Sequence, residues 1–549
     1  MPEPSTRGQA PSFAATVSPP GLESEVTFIS GVTADATVAA TSFGAWIRPT
    51  VPAQYDPYSS YTTKWGDPTL QLGGTPAVVT YQFATDESGA DQWSATEKKA
   101  WDAALSLWSA EVAITFTLAA PGANPNLTFF KQPLPGDGYP TAGTFQAFPQ
   151  IVTSVIGSHV EGVPGANAFI TFDIKSDTNP KGDTQPLDVD SFADSNDFYF
   201  SLIHELGHAI GLGHGGPYNA GDVPNFDAAV RQFSPYDMSL WAMMSYVTPS
   251  MTNATYYADY PVTGTNWSNS GLQPITPMML DILAAQRLYG PATSGELVGG
   301  NATFGFNTTF TGPIKPYFDF NQNTQPVITI WDGGVNNKLD LSGWSTPSII
   351  NLAPGSFSSA NGFTNNIGIA FNTVIETAIG GGGNDTINGS HYDNVLIGGP
   401  GNDLITGGPG ADRFQFAAPS DGVDTFFDFA YYQGDRIALN HVGFGLSGTG
   451  SLAAAGVNFV YAFTPPSLGY NGPPPAGPTI IEYGSDVYWD PDGAGTSPAA
   501  LLAHVFGQGT PAPPVTRNAP NDVMLVDPET GMPESFKVAQ LTQYDFVII

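Results

Sequence analysis

Four consecutive nine-residue units that begin at Gly380 restrict the fold of this chain more than any other feature. They read GGGGNDTIN, GSHYDNVLI, GGPGNDLIT and GGPGADRFQ, each with a leading glycine, an aspartate or asparagine in sixth place and an apolar residue in eighth place. Glycine permits tight turns and the recurring apolar residue needs a buried position, so the pattern predicts a parallel β-roll with two units per coil. A flexible glycine-rich linker would not repeat an apolar residue at fixed spacing. The predicted core positions are Ile387, Leu396, Ile405 and Phe414.

The sixth-place aspartates of these units predict calcium sites, because Ca²⁺ prefers carboxylate and carbonyl oxygens as ligands. Two units make one coil, so an ion should lie between turns eighteen residues apart. The second unit has Tyr392 in place of glycine and Asn394 in place of aspartate, and the pair of turns that includes it should bind calcium more weakly. The predicted calcium ligands are Gly380, Gly382, Asp385, Gly398, Pro400, Asp403, Gly407, Pro409 and Asp412.

The segment HELGHAIGLGH places three of the chain's seven histidines within eleven residues. Residues four apart share one face of a helix, so His204 and His208 can bind a single Zn²⁺ from consecutive turns. Glu205 lies beside them as a candidate general base that can reach a water molecule on the metal. Gly211 is expected to end the helix, and His214 then returns as a third ligand. Three protein ligands leave a fourth position open, which is typical of a catalytic zinc site; the alternative is a helix with exposed histidines and a chance match.

About thirty residues further on, the segment MMSY ends at Tyr246. With the histidine motif, it resembles the serralysins, the secreted bacterial branch of the metzincin zinc endopeptidases. The resemblance implies that Met244 forms a methionine turn beneath the metal, and that Tyr246 ligates zinc at rest and later stabilises the oxyanion. A buried tyrosine with another partner is the alternative for Tyr246. Two segments depart from the family pattern, namely 215–217 after the third histidine and an apparent insertion at 235–242.

The segment from Trp331 to Gly343 resembles the family's entry into the β-roll, where a further calcium ion is expected. Here Asn337 stands where the family commonly has aspartate, and this difference puts that site in question.

The predicted architecture is an α+β metzincin catalytic domain, with a mixed twisted sheet and an active-site helix, followed by an all-β domain with a calcium-binding parallel β-roll. We expect residues 1–40 to be a poorly ordered lead or propeptide, because they are rich in Ser, Thr, Ala and Pro. Residues 41–293 would form the catalytic domain. Residues 294–549 would form the β-roll domain, with the repeats at 380–415.

Local patterns predict several elements of the catalytic domain. The run from Ala77 to Phe83 reads as a strand, and Ser94 with Glu97 forms the capping box of a helix with an apolar stripe. Met278 to Tyr289 reads as a helix that ends at a glycine. In metzincins the edge strand before the active-site helix pairs with substrate, and the resemblance suggests that role for the strand that contains Phe169, Ile170 and Thr171. An ordinary core strand is the default interpretation of this apolar run.

Charge and composition limit the classes of partner that the chain can bind. The chain has 16 basic and 49 acidic residues, a net charge of −33, which argues against nucleic acid or an anionic membrane as a partner. It contains no cysteine, so disulfides and thiol chemistry are excluded. No run approaches the ~20 apolar residues of a membrane helix, and the N-terminal stretch lacks the apolar core of a Sec signal. The final segment, Asp545 to Ile549, is similar to the uncleaved C-terminal signals that the type I secretion apparatus recognises in serralysins; it also reads as a last β-strand.

These patterns predict a secreted, monomeric, zinc-dependent endopeptidase that hydrolyses extracellular proteins or peptides, with Glu205 as general base and several structural calcium ions. The alternative is a calcium-dependent repeat-in-toxin binding or surface-layer module whose zinc domain is vestigial or acts on something other than peptides.

Overall fold

The computed structural model describes residues 21–39, 42, 64–67, 69–85, 93–132, 168–173, 192–216, 232–250, 264–462, 476–493, 497–507, 537–538, 541 and 543–549. The described α-helices are α1 (Leu22–Ser30), α2 (Ala95–Glu111), α3 (Phe192–Ala209), α4 (Met279–Tyr289) and α5 (Lys315–Phe318). Short 3₁₀ turns lie at Ser268–Ser270 and Gln543–Asp545. Within these ranges, no helix combines the length and the apolar character needed to cross a membrane.

Helix α1 lies within the N-terminal segment. Its apolar residues pack against the catalytic region. Gly21 and Gly31 bound the helix in left-handed conformations, with φ of 90° and 70°. Leu22, Val26 and Ile29 are at most 3% exposed, because their spacing puts them on one face that packs on the catalytic core. The propeptide part of the prediction remains untested, and residues 1–20 lie outside the described ranges.

The catalytic region has one described sheet, whose strand order is β2-β1-β3-β4. Its strands are β1 (Ala77–Phe83), β2 (Ile114–Leu118), β3 (Leu127–Gln132) and β4 (Ala168–Asp173). All described pairings in it are parallel, where we predicted a mixed sheet; residues 133–167, between β3 and β4, lie outside the described ranges.

Helix α2 packs its apolar stripe into the core of this region. The predicted capping box is confirmed: the Ser94 hydroxyl accepts the Glu97 N–H at 3.2 Å, and the Glu97 carboxylate accepts the Ser94 N–H at 2.7 Å. Trp101 and Trp108 are fully buried on the stripe. The Trp108 indole donates to the Ile203 carbonyl at 3.2 Å, which joins α2 to the helix that carries the histidine motif.

Short strands dominate the region after α4. They are β5 (Thr303–Gly305), β6 (Ile328–Ile330), β7 (Lys338–Asp340), β8 (Ile349–Asn351), β9 (Phe357–Ser358), β10 (Ile367–Ile369), β11 (Thr377–Ile379), β12 (Thr386–Asn388), β13 (Val395–Ile397), β14 (Leu404–Thr406), β15 (Arg413–Phe416), β16 (Asp424–Phe429), β17 (Arg436–Leu439), β18 (Asn458–Tyr461), β19 (Thr479–Tyr483), β20 (Asp486–Asp490), β21 (Ala500–Gly507), β22 (Lys537–Val538) and β23 (Phe546–Ile548).

Most of these strands form two large sheets. One has the order β23-β17-β15-β13-β11-β7-β5, and the other runs β18-β19-β20-β21-β16-β14-β12-β8, with β22 paired to β21. A smaller sheet has the order β6-β10-β9.

Strand pairing in the repeats agrees with the predicted coil. Strands β11 and β13 pair in parallel with Thr377 opposite Val395, and β12 and β14 pair with Thr386 opposite Leu404, so partners are eighteen residues apart. The eighth-place residues Ile387, Leu396, Ile405 and Phe414 are at most 1% exposed. Alternate units therefore stack within one sheet, and their apolar residues share the core between the two sheets.

The catalytic and strand-rich regions share one hydrophobic core. The Trp241 ring lies 4.9 Å from the Phe357 ring, edge to face. The backbone N–H of Ile275 donates to the Val327 carbonyl at 3.0 Å. Direct contacts therefore join Trp241, just before the methionine turn, and Ile275, just before α4, to the strand-rich region.

Candidate metal centre

Helix α3 and the turn after it bring three histidines together. His204 and His208 lie one turn apart on α3, and Gly211, at φ 104°, turns the chain so that His214 comes back toward them. Their candidate ligand atoms all lie within 4.8 Å of one another, and the Nε2 atoms of His208 and His214 are 3.0 Å apart. This cluster is compact enough for one metal ion.

Backbone carbonyls fix the tautomers of two of these imidazoles. The Nδ1–H of His204 donates to the Met243 carbonyl, and the Nδ1–H of His208 donates to the Leu212 carbonyl, both at 2.9 Å. A carbonyl can only accept, so Nε2 is left unprotonated and available to a metal. Burial, and for His204 also the neighbouring His208, lowers the pKa to about 3 for His204 and about 4 for His208. Both rings are therefore neutral at physiological pH.

Three contacts hold the end of the active-site helix, where backbone carbonyls lack helical partners. The Trp65 indole donates to the Ala209 carbonyl at 2.8 Å, and the Tyr289 hydroxyl donates to the Ile210 carbonyl at 2.6 Å. The Gly213 N–H donates to the Ile29 carbonyl of α1 at 2.8 Å. None of these partners was predicted as part of the site, because each is distant from the motif in the sequence.

A tight turn that packs against α3 contains Met244. Met244 is fully buried against Gly207 of the helix: a β-carbon added at Gly207 would lie only 2.7 Å from the Met244 sulfur. The glycine in the HELGH motif therefore creates the space that this sulfur fills. The structure thus assigns a packing role to a residue that the motif alone does not explain.

Asp281 of α4 anchors the same turn and was missed by the sequence analysis. Its carboxylate accepts the backbone N–H of Met243 at 2.6 Å, of Met278 at 2.8 Å and of Met244 at 3.4 Å. Burial raises the pKa of this carboxyl to about 7, although the three N–H donors oppose the shift. The chain of contacts runs from Asp281 through Met243 to the His204 ring.

Tyr246 lies beside the histidines. Its ring centroid is 4.1 Å from that of His214 and 6.0 Å from that of His204, and the side chain is half-buried. The preceding residue is also fixed, because the Ser245 hydroxyl donates to the Asp237 carboxylate at 2.6 Å.

The two departures from the family pattern meet beside Ser245, the residue that precedes Tyr246. A β-carbon at Gly215 would lie 2.7 Å from an Asp237 oxygen and 3.2 Å from a Glu25 oxygen, so a side chain at 215 would collide with these carboxyl groups. Asp237 belongs to the apparent insertion, and Glu25 belongs to α1. Burial and the nearby Asp237 raise the pKa of Glu25 well above its usual value. The insertion and α1 therefore meet at the segment that follows His214.

Glu205 adjoins His204 on α3 and is half-buried. Burial raises the pKa of its carboxyl well above the usual value in the metal-free protein. A cation held by the neighbouring histidines would oppose that shift, because it stabilises the carboxylate. Its role as general base remains a prediction.

The predicted substrate strand is β4, the edge of the described sheet. Phe169, Ile170 and Thr171 pair with Thr128, Phe129 and Phe130 of β3. Their side chains lie outside the described set, and their role remains a prediction.

Buried carboxylates line the turns of the repeats. Asp385, Asp403 and Asp412 are at most 1% exposed. Among the residues that the structure describes, Oδ2 of Asp403 and Oδ2 of Asp412 have no hydrogen-bond partner. Burial raises the pKa of Asp403 to about 7 and that of Asp412 to about 8. Such oxygens are costly to bury unless a proton or a cation compensates them.

The glycines of these turns lie against the same carboxylates. A β-carbon at Gly398 or Gly407 would collide with Oδ2 of Asp403 or Asp412, and one at Gly380 would lie 2.5 Å from an Asp385 oxygen. The other predicted ligands, Gly382, Pro400 and Pro409, are exposed on these turns. The donor set of buried carboxylates in a close backbone turn fits a hard cation.

A histidine cluster at the end of a helix, packed against a methionine-containing turn, is typical of metzincin metalloendopeptidases, and the family comparisons support this class. A family model described as Matrixin matches residues 74–232, which include the histidine motif, and one described as Peptidase M10 serralysin C terminal matches residues 295–464. The methionine turn lies between the two matched ranges.

Sequence relatives give the same assignment more specifically. Metallopeptidase AprA of Pseudomonas marginalis is 32% identical over 414 residues, which cover 70% of this chain and 76% of that protein. Serralysin of Proteus mirabilis is 32% identical over 342 residues, 59% of this chain and 61% of the relative. Serralysin B of Dickeya chrysanthemi is 30% identical over 339 residues, 60% of this chain and 61% of the relative. The chain belongs to the serralysin family of metalloendopeptidases.

Proposed function

We propose that this protein is a zinc-dependent endopeptidase that cleaves extracellular proteins or peptides. The observation that carries the proposal is the convergence of His204, His208 and His214, with two of the rings held as neutral Nδ1–H tautomers. Three nitrogen ligands that leave an open position suit catalytic zinc. Tyr246 stands beside the same cluster as the fourth candidate ligand at rest.

The chain's own residues supply proton transfer and charge stabilisation. Zinc, when bound, would polarise the substrate carbonyl and lower the pKa of water. Glu205 takes a proton from the attacking water and passes it to the leaving amine. The Tyr246 hydroxyl donates a hydrogen bond to the oxygen that becomes negative. The Met243 carbonyl and Asp281 keep the His204 ring oriented through both steps.

We also propose that the repeat turns bind calcium. Partnerless buried oxygens of Asp403 and Asp412 support this, as does the close approach of the turn glycines. Asp385, in the first unit, would share an ion with the turn of Asp403.

Export is proposed to use the type I secretion apparatus, as the resemblance of the segment from Asp545 to Ile549 suggests. In the folded chain, Phe546–Ile548 form β23 and pair with β17. A chain shortened before Asp545 should stay inside an expressing cell that carries the apparatus, whereas the full chain should reach the medium.

Casein hydrolysis tests the endopeptidase. The wild-type chain and Glu205→Ala are compared in zinc and millimolar calcium, with zinc content measured for both. The variant should keep its fold and zinc, because Glu205 is not a ligand, and should lose about 10²–10⁴-fold in turnover, the usual contribution of a general base.

The matched control is Glu23→Ala on α1, which removes a surface glutamate that pairs with Arg287 at 2.8 Å and should leave turnover unchanged. If wild-type protein with bound zinc cleaves nothing, the endopeptidase proposal fails for this form. The chain would then be a form that requires N-terminal processing, or a calcium-dependent binding or surface-layer module with a vestigial or non-peptidase zinc domain.

A further inference from the structure

Strand register aligns the turn residues of the strand-rich region into two columns. Each column consists of polar residues that the register of neighbouring parallel strands places side by side, at the first position of a strand or immediately before it. The first column contains Asn337, Glu376, Asn394, Asp412 and Asp435. The second column contains Ser348, Asp385, Asp403 and Asp424. The two columns lie at the starts of strands in different sheets. The first column has side-chain amides at two of its first three residues. The second column has only carboxylates after its first residue.

Both columns share a ladder of hydrogen bonds between coils. The backbone N–H of Asp385 donates to Asp403 at 2.7 Å, and that of Asp403 donates to Asp424 at 3.0 Å. In the first column, the N–H of Asn394 donates to Asp412 at 2.8 Å. Each of these bonds occupies one carboxylate oxygen. The second oxygens of Asp403 and Asp412 then have no partner among the described residues, and a cation would satisfy them.

Asn337, at the start of the first column, has partners for both atoms of its side-chain amide, whereas Oδ2 of the neighbouring Asp332 has none among the described residues. Asn337 is fully buried, and its Nδ2 lies 3.0 Å from Oδ1 of Asp332, 3.1 Å from the Val374 carbonyl and 3.3 Å from the Gly334 carbonyl. One carboxylate and two carbonyls are ligands that calcium accepts, but their distances from this nitrogen are those of hydrogen bonds. The side-chain oxygen is also used, because it accepts the Ala302 N–H at 3.0 Å.

Asn394 repeats the arrangement two positions further along the column. By the nine-residue period it occupies the place of Asp385, Asp403 and Asp412. Its Nδ2 lies 3.2 Å from the Glu376 carbonyl and 3.5 Å from the Ile375 carbonyl, and its Oδ1 accepts the Ser390 N–H at 2.6 Å. An uncharged donor again points at backbone carbonyl oxygens, which here belong to the preceding coil.

We infer that the side-chain amides of Asn337 and Asn394 take the place of calcium ions at the start of the first column, so that the coils nearest the catalytic region hold together there without calcium. The amide hydrogens offer the oxygens partial positive charge without an ion. The calcium sites of the proposed function would then be confined to the second column and to the distal end of the first, at Asp412 and Asp435. The inference rests on that part of the proposed function.

Calcium stoichiometry tests the inference on the full chain. Calcium-free wild-type protein, Asn337→Asp and Asn394→Asp are titrated with calcium by calorimetry, at fixed zinc. Each variant replaces an amide donor by a carboxylate and should bind one more calcium per chain than wild type, with a thermal midpoint that rises more steeply with calcium. Asn384→Asp, at an exposed residue outside both columns, is the matched control and should add none.

Hydrogen exchange of the wild-type chain supplies an independent measurement that needs no variant. After calcium removal, amides of β5 and β7 should stay protected while those of β14 and β16 exchange, and treatment with a zinc-selective chelator should not reproduce the pattern. The inference is overturned if wild type and both variants bind equal numbers of calcium ions. It is also overturned if β7 loses protection together with β14. If one variant fails to fold, the other and the exchange pattern decide. A wild-type chain that binds no calcium would instead overturn the calcium part of the proposed function.

Discussion

Replacement of Gly207 by alanine should reveal how tightly the methionine turn supports the histidines. The added β-carbon would lie 2.7 Å from the Met244 sulfur, whereas non-bonded atoms of this kind settle at about 3.5–4.0 Å, so one group must move by about 1 Å. Overpacking of this kind costs about 1–3 kcal/mol. The higher helix propensity of alanine offsets about 1 kcal/mol of this loss in the free energy of unfolding. We expect a net destabilisation of up to about 2 kcal/mol.

A double-mutant cycle with Met244→Ala isolates this contact. Without the sulfur, Gly207→Ala should stabilise the protein by about 1 kcal/mol, because only the helix propensity remains. The coupling should thus be about 1–3 kcal/mol. Unfolding is followed with zinc and calcium bound, in the Glu205→Ala background, so that self-digestion does not distort the midpoint.

Activity gives a second readout in the wild-type background. A shifted turn displaces the Met243 carbonyl that orients His204, and a misplacement of about 1 Å can cost up to about 10²-fold in kcat/KM. An equal effect of Gly207→Ala on stability with and without Met244 would refute the packing argument.

Three further predictions concern other supports of the fold. Asp281→Asn should make the free energy of unfolding less dependent on pH. Burial raises the pKa of the Asp281 carboxyl from 3.8 to about 7, so its stabilising contribution is complete below pH 3.8 and is lost as pH rises through 7. Urea midpoints at several pH values measure this, and the same pH dependence in variant and wild type would contradict it. Trp65→Phe removes the donor to the Ala209 carbonyl and should cost about 1–3 kcal/mol, seen as a lower thermal midpoint with bound zinc retained; no change would show that water replaces the indole. In calcium-free buffer, acidification from pH 8 to pH 5 should stabilise wild type more than Asp403→Asn, because the raised pKa of about 7 favours the protonated folded state; calcium should abolish the difference, and its persistence would argue against an ion at Asp403.

The parts of the site that the sequence predicted are those encoded within a few residues of one another. His204, His208 and His214 belong to one helix and its closing turn, so spacing alone indicated that they meet. Asp281 approaches the methionine turn from 38 residues away, and Trp65 reaches Ala209 across 144 residues. Tertiary packing creates such contacts, and no local sequence periodicity predicts them.

Helix α1 was missed for a different reason. The spacing of Leu22, Val26 and Ile29 is a helical signal, but the Ser-, Thr- and Pro-rich flanks outweighed it in the sequence interpretation. Nine-residue periodicity, in contrast, predicted the register of the repeat strands, because each coil must bury the same eighth-place residue. Asn337 lies before the repeats begin, and only strand pairing shows that it belongs to the same column as Asp412.

The packing of Trp241 on Phe357 sets a limit on how this protein can be divided. A chain cut after residue 293 would leave the indole facing water, together with the backbone N–H of Ile275, which now donates to Val327. Exposed apolar surface of this kind promotes aggregation. Shortened versions made for inhibitor screening or crystallisation should therefore retain at least the sheet β6-β10-β9. Truncations intended to give a soluble protease should remove only residues that follow this sheet.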